Sequence, residues 1–229
     1  MGWRFDTRAF LGVFVAGFVC SCASADMSYT IRMQIENDQY GVQTVSQRCK
    51  TNEEFLLTET EYSGEEGTIV QLTDMKRGVI YSIDHEEQRV TMSPMPDEEL
   101  PSLDFDVEEL GSQTIRGLAC QGYRIQEIRD GVPSATMEVY VSPELDVPFD
   151  SLWRDLLKDK SKSLKKLRNK MDGFPVRYTR KSLLQDKTEI QMEVTDIELS
   201  DLPQEIFALP ETYTLQVAEE AGMEEPEEL

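Results

Sequence analysis

Histidine is almost missing from this chain, with His85 alone among 229 residues. One imidazole gives a Ser–His or Cys–His nucleophile a single candidate base, and no Cys or His spacing suits zinc. His85 itself stands in Asp84-His85-Glu86-Glu87, which reads as an exposed turn. No serine occupies a G-x-S-x-G elbow, and Gly64-Glu-Glu-Gly67 is an acidic turn that repels phosphate rather than cradling it. Asp104-Phe-Asp106-Val-Glu108-Glu109 offers oxygen ligands for calcium, but it lacks the glycine of a hand-type loop and reads as a solvated acidic connection. Basic residues are also scarce, 23 against 44 acidic ones, for a net charge of −21. A surface so acidic repels phosphate backbones, which excludes nucleic acid as a partner. These shortages point to a protein that is not an enzyme, with no cofactor and no metal.

Long apolar runs are absent except at the start, where Ala9–Val19 follows Arg4 and Arg8 and precedes Ala23-Ser24-Ala25. That is the layout of a signal peptide over residues 1–25, too short in its apolar part to span a bilayer. The expected location is periplasmic. A second route competes, because Val19 and Ser21 also suit lipid modification of Cys22, which makes an outer-membrane lipoprotein. Cleavage after Ala25 removes Arg4, Arg8 and Asp6 and moves the net charge from −21 to −22. About 204 residues remain, enough for one domain with a sizeable core.

Cysteine is sparse too. After processing at Ala25 only Cys49 and Cys120 remain. Two thiols in an oxidising compartment are expected to form one disulfide, closing a loop of about 70 residues and adding roughly 4 kcal/mol in the chain-entropy view. Two buried free thiols are the alternative.

Alternation supplies most of what is present. In Met27–Glu36, Tyr29, Ile31, Met33 and Ile35 alternate with polar residues, the mark of a strand with one buried side. Further strands are expected around Tyr40–Lys50, Phe55–Tyr62, Thr68–Thr73, Gly78–Asp84 and Arg89–Met92. Pro94, Pro96 and Pro101 then open an acidic connection to about Glu109, and strands resume near Gln113. Asp130-Gly131 sits where a tight hairpin turn is expected between Tyr123-Arg124-Ile125 and Met137–Val141. Phe174–Arg180 and Lys187–Leu199 form a final pair, with a phase slip near Thr195-Asp196 that predicts a bulge. Glu211–Leu229, with seven glutamates and no basic residue, reads mostly as a solvated tail.

One helix is expected over Asp150–Met171, where Leu152, Trp153, Leu156, Leu157, Leu164 and Leu167 fall near a helical stripe. The fold class that follows is mainly β (α+β): a curled antiparallel sheet, with this amphipathic helix burying its stripe on the inner face of the curl. The helix carries eight basic residues against three acidic ones. Its lysines answer the chain's own acidic surface or make a docking face, centred on Lys165, Lys166 and Arg168, for an envelope protein partner or an anionic membrane surface.

Three segments carry a family likeness. Gly111-Ser-Gln-Thr-Ile115-Arg-Gly117-Leu-Ala-Cys120-Gln-Gly-Tyr123, Gly173-Phe174-Pro175-Val176-Arg177, and Asp201-Leu-Pro203 through Phe207, Leu209, Pro210 and Tyr213 resemble domain-of-unknown-function family 4412. That family is similar to the bacterial lipoprotein-carrier and lipoprotein-receptor superfamily. The resemblance implies an unclosed half-barrel whose concave face is covered by helix and binds lipid chains or other apolar ligands. It implies no catalytic residues, and a fold of this kind does not fix a function. The domain is expected over residues 26–213, followed by an acidic disordered tail over 214–229.

The function expected is an exported envelope protein that binds an apolar ligand, a lipid or lipoprotein acyl chain, between sheet and helix. Met33, Ile35, Met137, Val139 and Met192 on the strands, with Trp153 and Leu156 on the helix, are the expected lining. Methionine suits acyl chains of varied shape because it is flexible and polarizable. The alternative is a structural or protein-interaction module with a filled core.

Overall fold

The computed structural model describes residues 26–38, 41–64, 67–95, 103–145, 170–171, 173–184 and 187–218. Twelve strands run through them: β1 (Met27–Asn37), β2 (Gly41–Thr51), β3 (Phe55–Tyr62), β4 (Ile69–Asp74), β5 (Val79–Asp84), β6 (Arg89–Pro94), β7 (Leu103–Ile115), β8 (Leu118–Arg129), β9 (Val132–Ser142), β10 (Phe174–Ser182), β11 (Glu189–Leu199) and β12 (Thr214–Val217). They form one sheet in the order β12-β6-β5-β4-β3-β2-β1-β11-β10-β9-β8-β7, which does not close on itself. Every neighbouring pair is antiparallel except β12 and β6. The mainly β architecture expected from alternation is therefore present, and the sheet is unclosed, as the family resemblance implies.

Turn chemistry sets much of the register. Asp130 and Gly131 have φ of 52° and 78°, so both central positions of the β8–β9 turn are left-handed, as a tight hairpin requires. The bulge expected near Thr195-Asp196 is also there. Ser28 pairs with Glu198 and Thr30 with Thr195, so β11 inserts one extra residue against β1, with Asp196 at φ 55°.

The sheet changes its buried side along its width. From β2 through β1 and β11 to β8 the apolar face, here called inner, carries Met27, Tyr29, Ile31, Met33, Val45, Val139, Tyr178 and Met192. At β3 both faces are apolar, with Leu56 inner and Phe55 and Leu57 outer. Across β4 to β6 the inner positions turn mostly polar (Gln71, Thr73, Ser82, Thr91 and Ser93, with Ile69 and Ile80 among them), and the buried apolar residues Leu72, Tyr81, Ile83 and Val90 face out. A C-terminal strap covers this outer cluster with Leu202, Ile206, Phe207, Leu209 and Tyr213. It starts where Asp26 accepts the Leu202 N–H at 2.8 Å, and Phe207 stacks on Phe55 with centroids 5.7 Å apart. Its short 3-10 turn, Gln204–Phe207, is the only helical element among the described residues.

Three expectations need correction or fall elsewhere. The stretch before Glu109 is not a solvated connection from Leu103 onward but the edge strand β7. Phe105 and Val107 pair with Glu127 and Ile125 of β8, while Asp104, Asp106 and Glu108 point to water. Alternation was present there, and charge on an open edge discourages pairing with other chains. Thr214–Val217, expected at the head of the tail, instead pairs in parallel with β6 and covers its bare edge. The helix expected over Asp150–Met171 lies outside the described residues except for Lys170 and Met171, as do the rest of the tail and residues 1–25.

Candidate functional site

The inner face is ordered in rows of directly opposed residues. One row runs Val45, Met33, Met192, Tyr178, Val139, Tyr123 across six strands from β2 to β8. The next runs Ile35, Ile190, Arg180, Met137, Ile125, Val107 from β1 to β7. Rows lie about 7 Å apart, since side chains on one face recur every second residue. All five strand residues expected to line the site, Met33, Ile35, Met137, Val139 and Met192, thus share one face in two adjacent rows. Trp153 and Leu156 lie outside the described residues, as do Lys165, Lys166, Arg168 and Cys22. Met33, Val139 and Met192 are buried, whereas Met137 and Ile190 are half-buried. The second row is therefore the more accessible one.

That second row also holds a charged residue that sequence reasoning missed. Arg180 points into the inner face with its side chain only 17% exposed, and its Nη2 lies 3.4 Å from Glu127 Oε2. Glu127 is buried in turn and accepts a 2.6 Å hydrogen bond from Ser134 Oγ, with Arg129 Nη2 at 3.9 Å. The Glu127 contact is the one hydrogen bond formed by the Arg180 guanidinium among the described residues. Tyr178, one row inward, has its phenol held protonated to higher pH than usual, mainly by burial. The signal for Arg180 was available, because Val176, Tyr178 and Arg180 alternate in phase. Glu127 likewise follows Tyr123 and Ile125. A charge in phase with apolar residues on a strand is a buried charge, and buried charges are paired.

The row beyond is the rim. It holds Glu127, Ala135 and Ser182, and Asn37 donates from Nδ2 to Thr188 Oγ1 at 2.8 Å. Turns at this end expose Val42, Val132, Leu183 and Leu184. The face is thus apolar in depth and carries one ion pair near its end, and exposed aliphatic side chains stand at the same end of the sheet.

The thiols do not form the expected bridge. Cys49 and Cys120 are both free and buried. They sit on β2 and β8, with four strands between them in the sheet order. Each is satisfied on its own strand, Cys49 Sγ donating to Gln47 Oε1 and Cys120 Sγ to the Leu118 carbonyl, both at 3.6 Å. Burial pushes the Cys49 thiol up to about 12, against a smaller opposing effect of a hydrogen bond with Tyr29, and burial also raises Cys120. Neither supplies a thiolate near neutral pH, so neither is a reactive nucleophile.

His85 Nδ1 lies 2.9 Å from the Tyr213 hydroxyl, so the single imidazole fastens the strap to the β5–β6 turn. Asp104, Asp106 and Glu108 are spread along β7 rather than gathered in a loop. Among the described residues no group of three or more His, Cys, Asp or Glu side chains is placed to hold a metal ion.

Comparison with known proteins places this geometry. An uncharacterized conserved protein from Thermus thermophilus matches 93% of this chain and 99% of its own at 10% identity and a TM-score of 0.50, a likeness of fold alone. A LolA superfamily protein from Nitrosomonas europaea matches 87% of this chain and 97% of its own at 10% identity, with a TM-score of 0.42. No curated protein sequence matches it. The sequence profile of DUF4412, a domain of unknown function, matches residues 26–213, the whole span from Asp26 through the strap. The chain belongs to the DUF4412 family.

Proposed function

We propose that this is a non-catalytic protein of the cell envelope that holds an apolar ligand, a lipid or lipoprotein acyl chain, against the inner face of its sheet. One observation carries the reading. Met33, Met137 and Met192 come from strands far apart in sequence and meet with Ile35, Val139 and Ile190 on one face. Such a surface is apolar and adaptable, since methionine changes rotamer at little cost and tolerates ligands of varied outline. The half-buried Met137 and Ile190 mark where a chain would enter. An envelope location rests on the signal-peptide pattern of residues 1–25, with anchoring through Cys22 as the other route.

The test is native mass spectrometry with lipid extraction of protein purified from its own envelope. A bound amphiphile is expected, and Met137→Asp should release it while Met137→Leu retains it, with far-UV circular dichroism verifying that both variants fold. Recovery of no amphiphile from the wild-type protein overturns the reading.

A second reading has its own support. Met33, Val139 and Met192 are only 6%, 3% and 4% exposed, as expected of a filled half-barrel that serves as a structural or interaction module. That reading expects wild-type protein free of lipid and a Met137→Asp variant altered in stability alone.

A further inference from the structure

We infer that the ligand of the inner face is an amphiphile with an anionic head, and that the Arg180 guanidinium anchors the head at the rim. This deepens the proposed function and rests on it. Arg180 stands between Ile190 and Met137 in the row next to the rim, on an otherwise apolar face. A bare cation there is costly, and Glu127 neutralises it through one 3.4 Å contact to Nη2. Glu127 is itself shared, with Ser134 at 2.6 Å on its other oxygen and Arg129 at 3.9 Å. Two guanidinium groups therefore face one carboxylate, leaving the cluster one positive charge in excess. Nε and Nη1 of Arg180 form no hydrogen bond among the described residues, so each can donate to an oxygen of a carboxylate or phosphate beside the Glu127 contact.

The position fits the chemistry. An oxyanion at Arg180 would set its tail against the rows of Tyr178 and Met192 and then of Ile31 and Val194, about 13 Å along the strands. The same end of the sheet exposes Val132, Leu183 and Leu184, so the head lies where a ligand passes between water and the apolar face. Head and tail are read by different residues, which separates them experimentally.

Displacement of the neutral apolar dye 1-N-phenylnaphthylamine from the mature protein provides the assay, with laurate and dodecanol as competitors of equal tail length. Laurate is expected to displace the dye at a concentration at least tenfold lower than dodecanol. Arg180→Gln should remove that preference, bringing the laurate and dodecanol displacement concentrations together, and Glu127→Gln, which frees the guanidinium, should sharpen it. Because Arg180→Gln alone disturbs the balance at the rim, the Arg180→Gln, Glu127→Gln double variant repeats the test with no buried charge left at the pair. Equal displacement by laurate and dodecanol in the wild type, or an unchanged preference in the double variant, overturns the head-group assignment while leaving the apolar site standing. Failure of the wild-type protein to bind dye or either competitor overturns the apolar-ligand reading itself.

Discussion

Phe207→Ala tests whether the sheet really buries opposite faces in its two halves. Phe207 is 5% exposed and packs on the outer cluster of Leu72, Tyr81, Ile83 and Val90, with its ring stacked on Phe55. Removing a buried phenylalanine ring costs about 3–5 kcal/mol. The lower end, about 3 kcal/mol, is expected here because the strap can settle toward β3 and close part of the space. For a domain of this size each kcal/mol moves Tm by about 2–4 °C, so a fall of about 6–12 °C is expected. Urea unfolding of wild type, Phe55→Ala, Phe207→Ala and the double variant should give a coupling of about 0.5–1.5 kcal/mol for the stacked pair. Dye binding on the inner face should be unchanged in Phe207→Ala, because the strap packs against the other side of the sheet. A loss below about 1 kcal/mol with no coupling, or a dye affinity that falls along with stability, would refute the division into two independently buried faces.

Three smaller tests follow. Both thiols being free, Tm should be the same with and without dithiothreitol, and iodoacetamide should label Cys49 only when the chain unfolds; a drop on reduction would reveal a bridge worth about 4 kcal/mol. Glu193 is partly buried, which opposes ionisation, yet Arg116 and Arg177 hold its carboxylate below the usual range. Its contribution is thus present above the unfolded-state value and lost as pH falls through the lower folded-state value. Glu193→Gln should cost about 0.5–1 kcal/mol at pH 7, modest because both arginines are largely exposed, and the difference from wild type should vanish in acid melts. Asp196 holds φ at 55° in the β11 bulge, so Asp196→Val should lose about 1–2 kcal/mol in urea melts, while Asp196→Gly stays near wild type.

Much of the fold was legible because a strand with one buried face writes its period into the sequence. Met27–Asn37 and Phe55–Tyr62 were readable for that reason, and Asp130-Gly131 named its own turn. That Met33, Met137 and Met192 share one face was also readable, since each sits in phase with neighbouring apolar residues. β7 and β12 were harder to see. An edge strand is paired on one side only, so its composition answers to water and to the need to avoid other chains. The acidic run Asp104–Glu109 therefore resembles a loop, and Thr214–Val217 resembles a tail. The Cys49 and Cys120 pairing failed on topology, because sequence counts thiols without saying which strands stand between them.

The amino-acid order alone determined that this chain alternates into a many-stranded sheet, that acidic residues outnumber basic ones 44 to 23, and that it holds a single histidine. Local periods and turn preferences act within a few residues, which is why they survive in a linear reading. Tertiary structure decided which face is buried at each strand, since the choice at β4 to β6 depends on a strap more than a hundred residues away. It also brought Arg180 of β10 to Glu127 of β8, an arrangement fixed by strand register and invisible until the strands are laid side by side.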